Sequence, residues 1–120
     1  MTMIKTPPVL SASTIVGDKV RNRAQEVIGS IKELMIDTGT GRIAYAVLDF
    51  GGFLGIHNKL FAVPWAALTV YGEEKCLVMD ADQELLKTAE GFDQSDWPDF
   101  ADQRWGARIH HHYSASPYWE

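Results

Sequence analysis

The chain has one cysteine, Cys76, among 120 residues, and so cannot hold an internal disulfide framework. A lone thiol suits a reducing compartment. Long apolar runs are absent too: nothing approaches the roughly 20 residues that span a bilayer, and Met1 to Pro8 lacks the apolar core of a signal peptide. Basic residues are in deficit, with 11 Lys+Arg against 16 Asp+Glu and a net charge of -5. A chain short of cations is a poor ligand for nucleic-acid phosphates. These absences predict a cytoplasmic protein with no integral membrane segment and no nucleic-acid partner. What is present is ordinary for a folded domain: 46% apolar and 22% charged residues. The length is enough for one hydrophobic core without metal or disulfide staples.

Charge is unevenly spread. Residues 1–72 carry net +2, residues 73–102 net -8, and the last eighteen net +1. Apolar residues interrupt the acidic stretch, which therefore reads as a folded segment with a solvated acidic face. Pro7-Pro8 marks residues 1–9 as a flexible arm.

Strand signals dominate the middle. Val16–Arg21, Ile28–Asp37, Arg42–Phe50, Lys59–Pro64, Ala67–Tyr71 and Lys75–Asp80 are rich in β-branched and apolar residues. Thr38-Gly39-Thr40-Gly41 has hairpin chemistry, and Gly51 to Asn58 reads as a glycine-rich loop. Six short strands at this spacing predict a mainly β fold, a small six-stranded antiparallel barrel over residues 10–91. Residues 92–120 form a helical, aromatic extension. Asp82 is placed to cap one short helix, and Ser95 or Asp96 a second with Pro98 in its first turn. Ala101, Trp105, Ile109 and Tyr113 recur at i+4 as an apolar stripe. Gly106 weakens that helix by about 1 kcal/mol relative to Ala.

The strands have two apolar faces. Ile43, Tyr45 and Val47 alternate with Ala44, Ala46, Leu48 and Phe50, and both sets are apolar. The runs Leu60–Val63 and Cys76–Met79 behave alike. A solvated antiparallel strand would carry one polar face, so something must cover the second. The extension, a second copy or another protein are the candidates. The extension holds seven of the thirteen aromatic residues: Phe92, Trp97, Phe100, Trp105, Tyr113, Tyr118 and Trp119.

Several segments together resemble the PRC-barrel family. They are Leu10 to Ser13 with Ile15-Val16-Gly17, Gly29 to Asp37, Gly41 to Leu48, and Gly51-Gly52-Phe53-Leu54-Gly55 followed by Lys59 to Leu68. The resemblance runs from about Leu10 to Phe100. The family is named for the photosynthetic reaction centre H subunit and also occurs in a ribosome maturation factor and in stand-alone proteins. It implies a β-barrel-like domain that docks on other proteins, and no shared reaction. This chain is similar to a stand-alone member. An accessory role beside a membrane electron-transfer complex, by peripheral association, is the alternative that the resemblance implies.

Candidate chemistry is sparse. His110-His111-His112 on a helix point about 100° apart and cannot converge on one ion, which leaves a solvated or interface helix face. Gly51-Gly52-x-x-Gly55 lacks the Lys-Ser/Thr of a phosphate loop and precedes a strand. Cys76 has no CxxC partner and reads as a small core side chain. Asp49 reads as a strand-end residue bonding loop amides. Lys19, Arg21 and Arg23 read as guards on an edge strand. An enzymatic or small-molecule reading would need His57, Asp49 and Cys76 to meet in one pocket. The expectation is a non-enzymatic binding module without cofactor or metal, a homodimer that docks an unknown protein partner. Its apolar contact residues are Tyr45, Phe53, Leu54, Trp65, Trp97, Trp105, Tyr118 and Trp119, with the acidic stretch steering basic partners.

Overall fold

A computed structural model describes residues 9–120; the expected arm, apart from Val9, lies outside them. A single helical turn, α1 (Ala12–Ile15), is capped by the Ser11 side chain and leads into β1 (Lys19–Arg21). Then come β2 (Val27–Asp37), β3 (Arg42–Asp49), the short α2 (Gly51–Leu54) and β4 (Lys59–Pro64). A 3-10 turn over Trp65–Ala67 leads to β5 (Leu68–Tyr71), and another over Gly72–Glu74 to β6 (Cys76–Met79). The chain ends with α3 (Gln83–Lys87), β7 (Phe92–Asp93) and α4 (Gln103–His112).

All six expected strands form, and the fold is mainly β. The sheet differs from an antiparallel barrel in two ways. It has seven strands in the order β5-β6-β1-β2-β3-β4-β7, with no pairing between its ends among the described residues. And β1 runs parallel to β6, Lys19 opposite Cys76 and Arg21 opposite Val78, while its other side pairs antiparallel with β2. Lys19 and Arg21 therefore sit on an interior strand, not on the expected edge. The 3-10 turn after β4 carries the chain away, so among the described residues β5 pairs only with β6.

The β2–β3 hairpin anchors the sheet. Its turn closes as expected: Gly41 takes φ 79°, and Asp37 Oδ1 accepts from the Gly39 amide at 3.1 Å. Irregularities in the ladder reassign the faces of β3. Tyr45 opposes Met35 while Ile43 opposes Ile36, so Ala44 is an extra residue. A bulge flips the phase of alternation. Ile43 accordingly packs with Ala46, Leu48 and Phe50 in the main core, and Ala44 joins Tyr45 on the outer face. The expected assignment of these two residues is reversed. On β2 the inward residues Ile28, Ile31 and Leu34 recur every third position for the same reason.

The main core lies between the curled sheet and α1 and α3, with Val20, Ile28, Ile31, Leu48, Phe50, Leu77 and Leu86 all but fully buried. Asp82 caps α3 as expected, accepting from the Leu85 amide at 2.8 Å. Neither Ser95 nor Asp96 starts the second helix: α4 begins after Asp102, whose carboxylate accepts from the Arg104 amide. The intervening aspartates close isolated turns instead, Asp93 onto Ser95 N–H and Asp99 onto Ala101 N–H. The expected glycine-rich loop holds one helical turn, α2, stopped by Gly55 in the left-handed region at φ 75°. Glycine stops a helix this way without steric cost.

Candidate functional site

The outer face of β3 and β4 is covered by the C-terminal extension. Tyr45 is the centre: it is 1% exposed, and four aromatic rings surround its own, Phe100 at 5.8 Å, Trp105 at 5.3 Å, His110 at 5.2 Å and Tyr118 at 5.6 Å. Such tilted and edge-on pairs add to the gain from burial alone. Ala44, Ala62 and Ile109 complete this second cluster. The hydroxyl of Tyr45 is buried with no hydrogen-bond partner among the described residues, and so is that of Tyr113. Burial raises the pKa of both phenols, and for Tyr45 the neighbouring Tyr118 raises it further.

Gly106 explains its own place in α4. A Cβ there would lie 2.6 Å from the Tyr45 hydroxyl and 3.0 Å from the Trp119 ring. The helix gives up propensity so that two aromatic side chains can approach its backbone. One turn on, His110 is 1% exposed. Its Nδ1 lies 2.8 Å from the Gly106 carbonyl oxygen, a bond in which the ring nitrogen must donate. The histidine run is thus not a uniform solvated face: His110 is core, His111 is exposed, and His112 Nε2 donates to the Leu85 carbonyl at 2.8 Å. A bidentate Arg108–Glu90 pair, both contacts 3.2 Å, fastens the outside of α4.

Four of the eight expected contact residues therefore converge: Tyr45, Trp105, Tyr118 and Trp119. They converge on one another, with Trp105 only 8% exposed. Trp97 stands apart at 41% exposure, resting against Phe92 and Phe100 while its Nε1 donates to the Gln94 carbonyl. Phe53, Leu54 and Trp65 lie elsewhere, half-buried against the main core.

The glycine-rich turn holds the other chemistry-bearing groups. Asp49 accepts from the Gly51 amide at 2.7 Å, as the sequence predicts. Asp49 Oδ1 and His57 Nδ1 flank Gly51, each 2.9 Å from where a Cβ would stand. Cys76 does not join them. Its strand is separated from β3 by β1 and β2, about 14 Å at the usual strand spacing, and the thiol is buried. The three residues that an enzymatic reading requires do not meet.

Beside α2 lies a groove of about 780 Å³ between the β1–β2 turn and α3. Phe53 forms one wall and also borders a smaller cleft of about 200 Å³ with Ser30 and Asp49. The groove's other lining includes Glu26, Asp80, Asp82 and Glu84. Sequence reasoning missed this juxtaposition, along with Gly106 and His110. The Gly106–His110 spacing of four was the one available signal, since it stacks them on a helix face.

Among the described residues, no helix is long and apolar enough to cross a membrane, and no group of three or more His, Cys, Asp or Glu is placed to hold a metal. No curated protein matches the chain. The model of the PRC-barrel domain matches residues 7–86, which takes in every strand from β1 to β6 and most of α3 but leaves out β7, α4 and the aromatic end. With two thirds of its length matched, the chain belongs to the PRC-barrel domain family.

Proposed function

We propose that this protein is a non-enzymatic docking module: a PRC-barrel domain, in its full form a small β-barrel, that forms a homodimer and docks a protein partner. The observation that carries the reading is Trp97. The extension buries Ala44, Tyr45 and Ala62 on β3 and β4, yet leaves this indole 41% exposed. Tryptophan is the side chain most enriched at interface hot spots. Exposed Ile36 at 49% and Tyr71 at 46% add apolar surface elsewhere. The separation of Cys76 from Asp49 and His57 weighs against chemistry at the glycine-rich turn.

Light scattering after size exclusion, across concentration, tests the reading. A mass of about twice 13.4 kDa that falls on dilution, and falls sooner for Trp97→Ala, is expected. A concentration-independent monomer whose Trp97→Ala variant captures the same proteins as the wild type refutes it. The alternative, an accessory factor beside a membrane electron-transfer complex, rests on the family resemblance. It requires co-purification with membranes or a chromophore in the native host.

A further inference from the structure

We infer that the groove between the β1–β2 turn and α3 is the seat of a basic partner segment: a short stretch of another protein with an apolar side chain flanked by Lys or Arg. The inference rests on the docking reading above, leaves Trp97 to self-association, and names a separate surface for the partner and the partner's chemistry. The groove is concave, about 780 Å³, with half-buried Phe53 and Leu85 as its apolar lining. Its rim is predominantly acidic. Glu26, Asp80, Asp82 and Glu84 line it against a single cation, Arg23.

Three of those carboxylates are held in place by the fold. Asp82 caps α3, Glu26 Oε1 accepts from the Asn22 amide group at 2.8 Å, and Asp80 pairs with Arg23 at 3.3 Å. Held acceptors cost a partner little reorganisation on binding. Arg23 and Asp80 are both largely exposed, so an incoming guanidinium can replace Arg23 at Asp80 with little desolvation cost. Charge selects among occupants. Phosphate groups of nucleic acid or anionic lipid meet four carboxylates and are repelled. A second copy of this chain carries net -5 and is disfavoured at the same rim. A basic peptide complements it, and its apolar residue has Phe53 and Leu85 to bury against.

The test is an NMR titration of the full chain with two synthetic peptides, Lys-Arg-Leu-Phe-Lys-Arg and its counterpart with Glu at every basic position. The basic peptide is expected to shift amides of residues 22–26, 53–54 and 81–88, and the acidic peptide none. The double variant Gln83→Lys/Glu84→Gln alters two exposed lining positions and is expected to weaken binding about tenfold while keeping the unperturbed spectrum elsewhere. Shifts centred on 93–99 around Trp97, equal binding of both peptides, or no binding overturns the inference. Crosslinking in native lysate separates this failure from failure of the docking reading. If the groove variant still captures what the wild type captures and Trp97→Ala does not, the groove is wrong and docking stands. If the wild type captures nothing, the docking reading itself falls.

Discussion

Gly106→Ala sets two opposed effects against each other at one atom. In an exposed helix interior the change would stabilise by about 1 kcal/mol. Here the new methyl would stand 2.6 Å from the Tyr45 hydroxyl and 3.0 Å from Trp119. Trp119 is near the chain end and half-exposed, so it can swing away. Tyr45 cannot: it is 1% exposed and boxed in by Phe100, Trp105, His110 and Tyr118. Overpacking a buried site costs about 1–3 kcal/mol, so a net loss of about 1 kcal/mol is expected, or a fall in Tm of about 4 °C for a chain of this size. Urea unfolding followed by tryptophan fluorescence reads the loss, and near-UV circular dichroism reads the loosened aromatic cluster. The informative comparison is the same substitution in a Tyr45→Phe background. Without the hydroxyl the main clash is gone, so Gly106→Ala should there be neutral or stabilising, a coupling of about 1–2 kcal/mol between the two positions. Gly52→Ala, in α2 with nothing within 4 Å of its Cβ, is the control and should not destabilise. A Gly106→Ala protein that is more stable than wild type, with no coupling to Tyr45, refutes the close approach.

Tyr45→Phe alone removes a buried hydroxyl without a partner among the described residues and should stabilise by about 1 kcal/mol in the same urea assay. Gly29→Ala should be far more damaging, by about 3 kcal/mol, because its Cβ would meet the Asp49 carbonyl at 2.5 Å, and backbone cannot step aside; a urea midpoint equal to wild type would contradict it. Asp82→Ala removes the cap of α3 and should cost about 1 kcal/mol, read by thermal melting. Burial raises the pKa of Tyr45, Tyr113 and Tyr118 above the phenol's usual 10. The folded protein therefore keeps protons that the unfolded chain loses. This stability is complete below about pH 10 and declines as pH rises beyond it. Tyr113→Phe should blunt that alkaline loss, and an unchanged alkaline midpoint would count against the buried phenol.

The strands were legible because their signal is local. Thr38 to Gly41 between two β-branched runs is a turn in any context, and the hairpin formed around it as expected. The bulges were not legible: Ala44 is an ordinary strand residue until Met35 and Ile36 are seen opposite its neighbours, and it alone decides which face Ile43 takes. The start of α4 was misplaced for a related reason. Asp93, Asp96, Asp99 and Asp102 offer the same side chain to the amides that follow them, and only Asp102 is followed by a stripe that tertiary packing holds down. The three consecutive histidines make the point again. Their sequence is identical, and the position of β3 beneath the helix determines that His110 is buried and His111 is not. Of the expected contact residues, aromatic character was readable from composition, but whether each ring faces its own chain or a partner depends on where the extension lies.

The parallel pairing of β1 with β6 also fixes an order of events. The β2–β3 hairpin needs only its own turn and can form early, because closing a short loop costs little entropy. β1, although made first, has one of its two neighbours more than fifty residues downstream. A nascent chain therefore carries β1 with one side unpaired until Cys76–Met79 has left the ribosome. That exposed edge makes the middle of synthesis the period of greatest risk of mispairing with another chain, and completion of β6 the step that ends it.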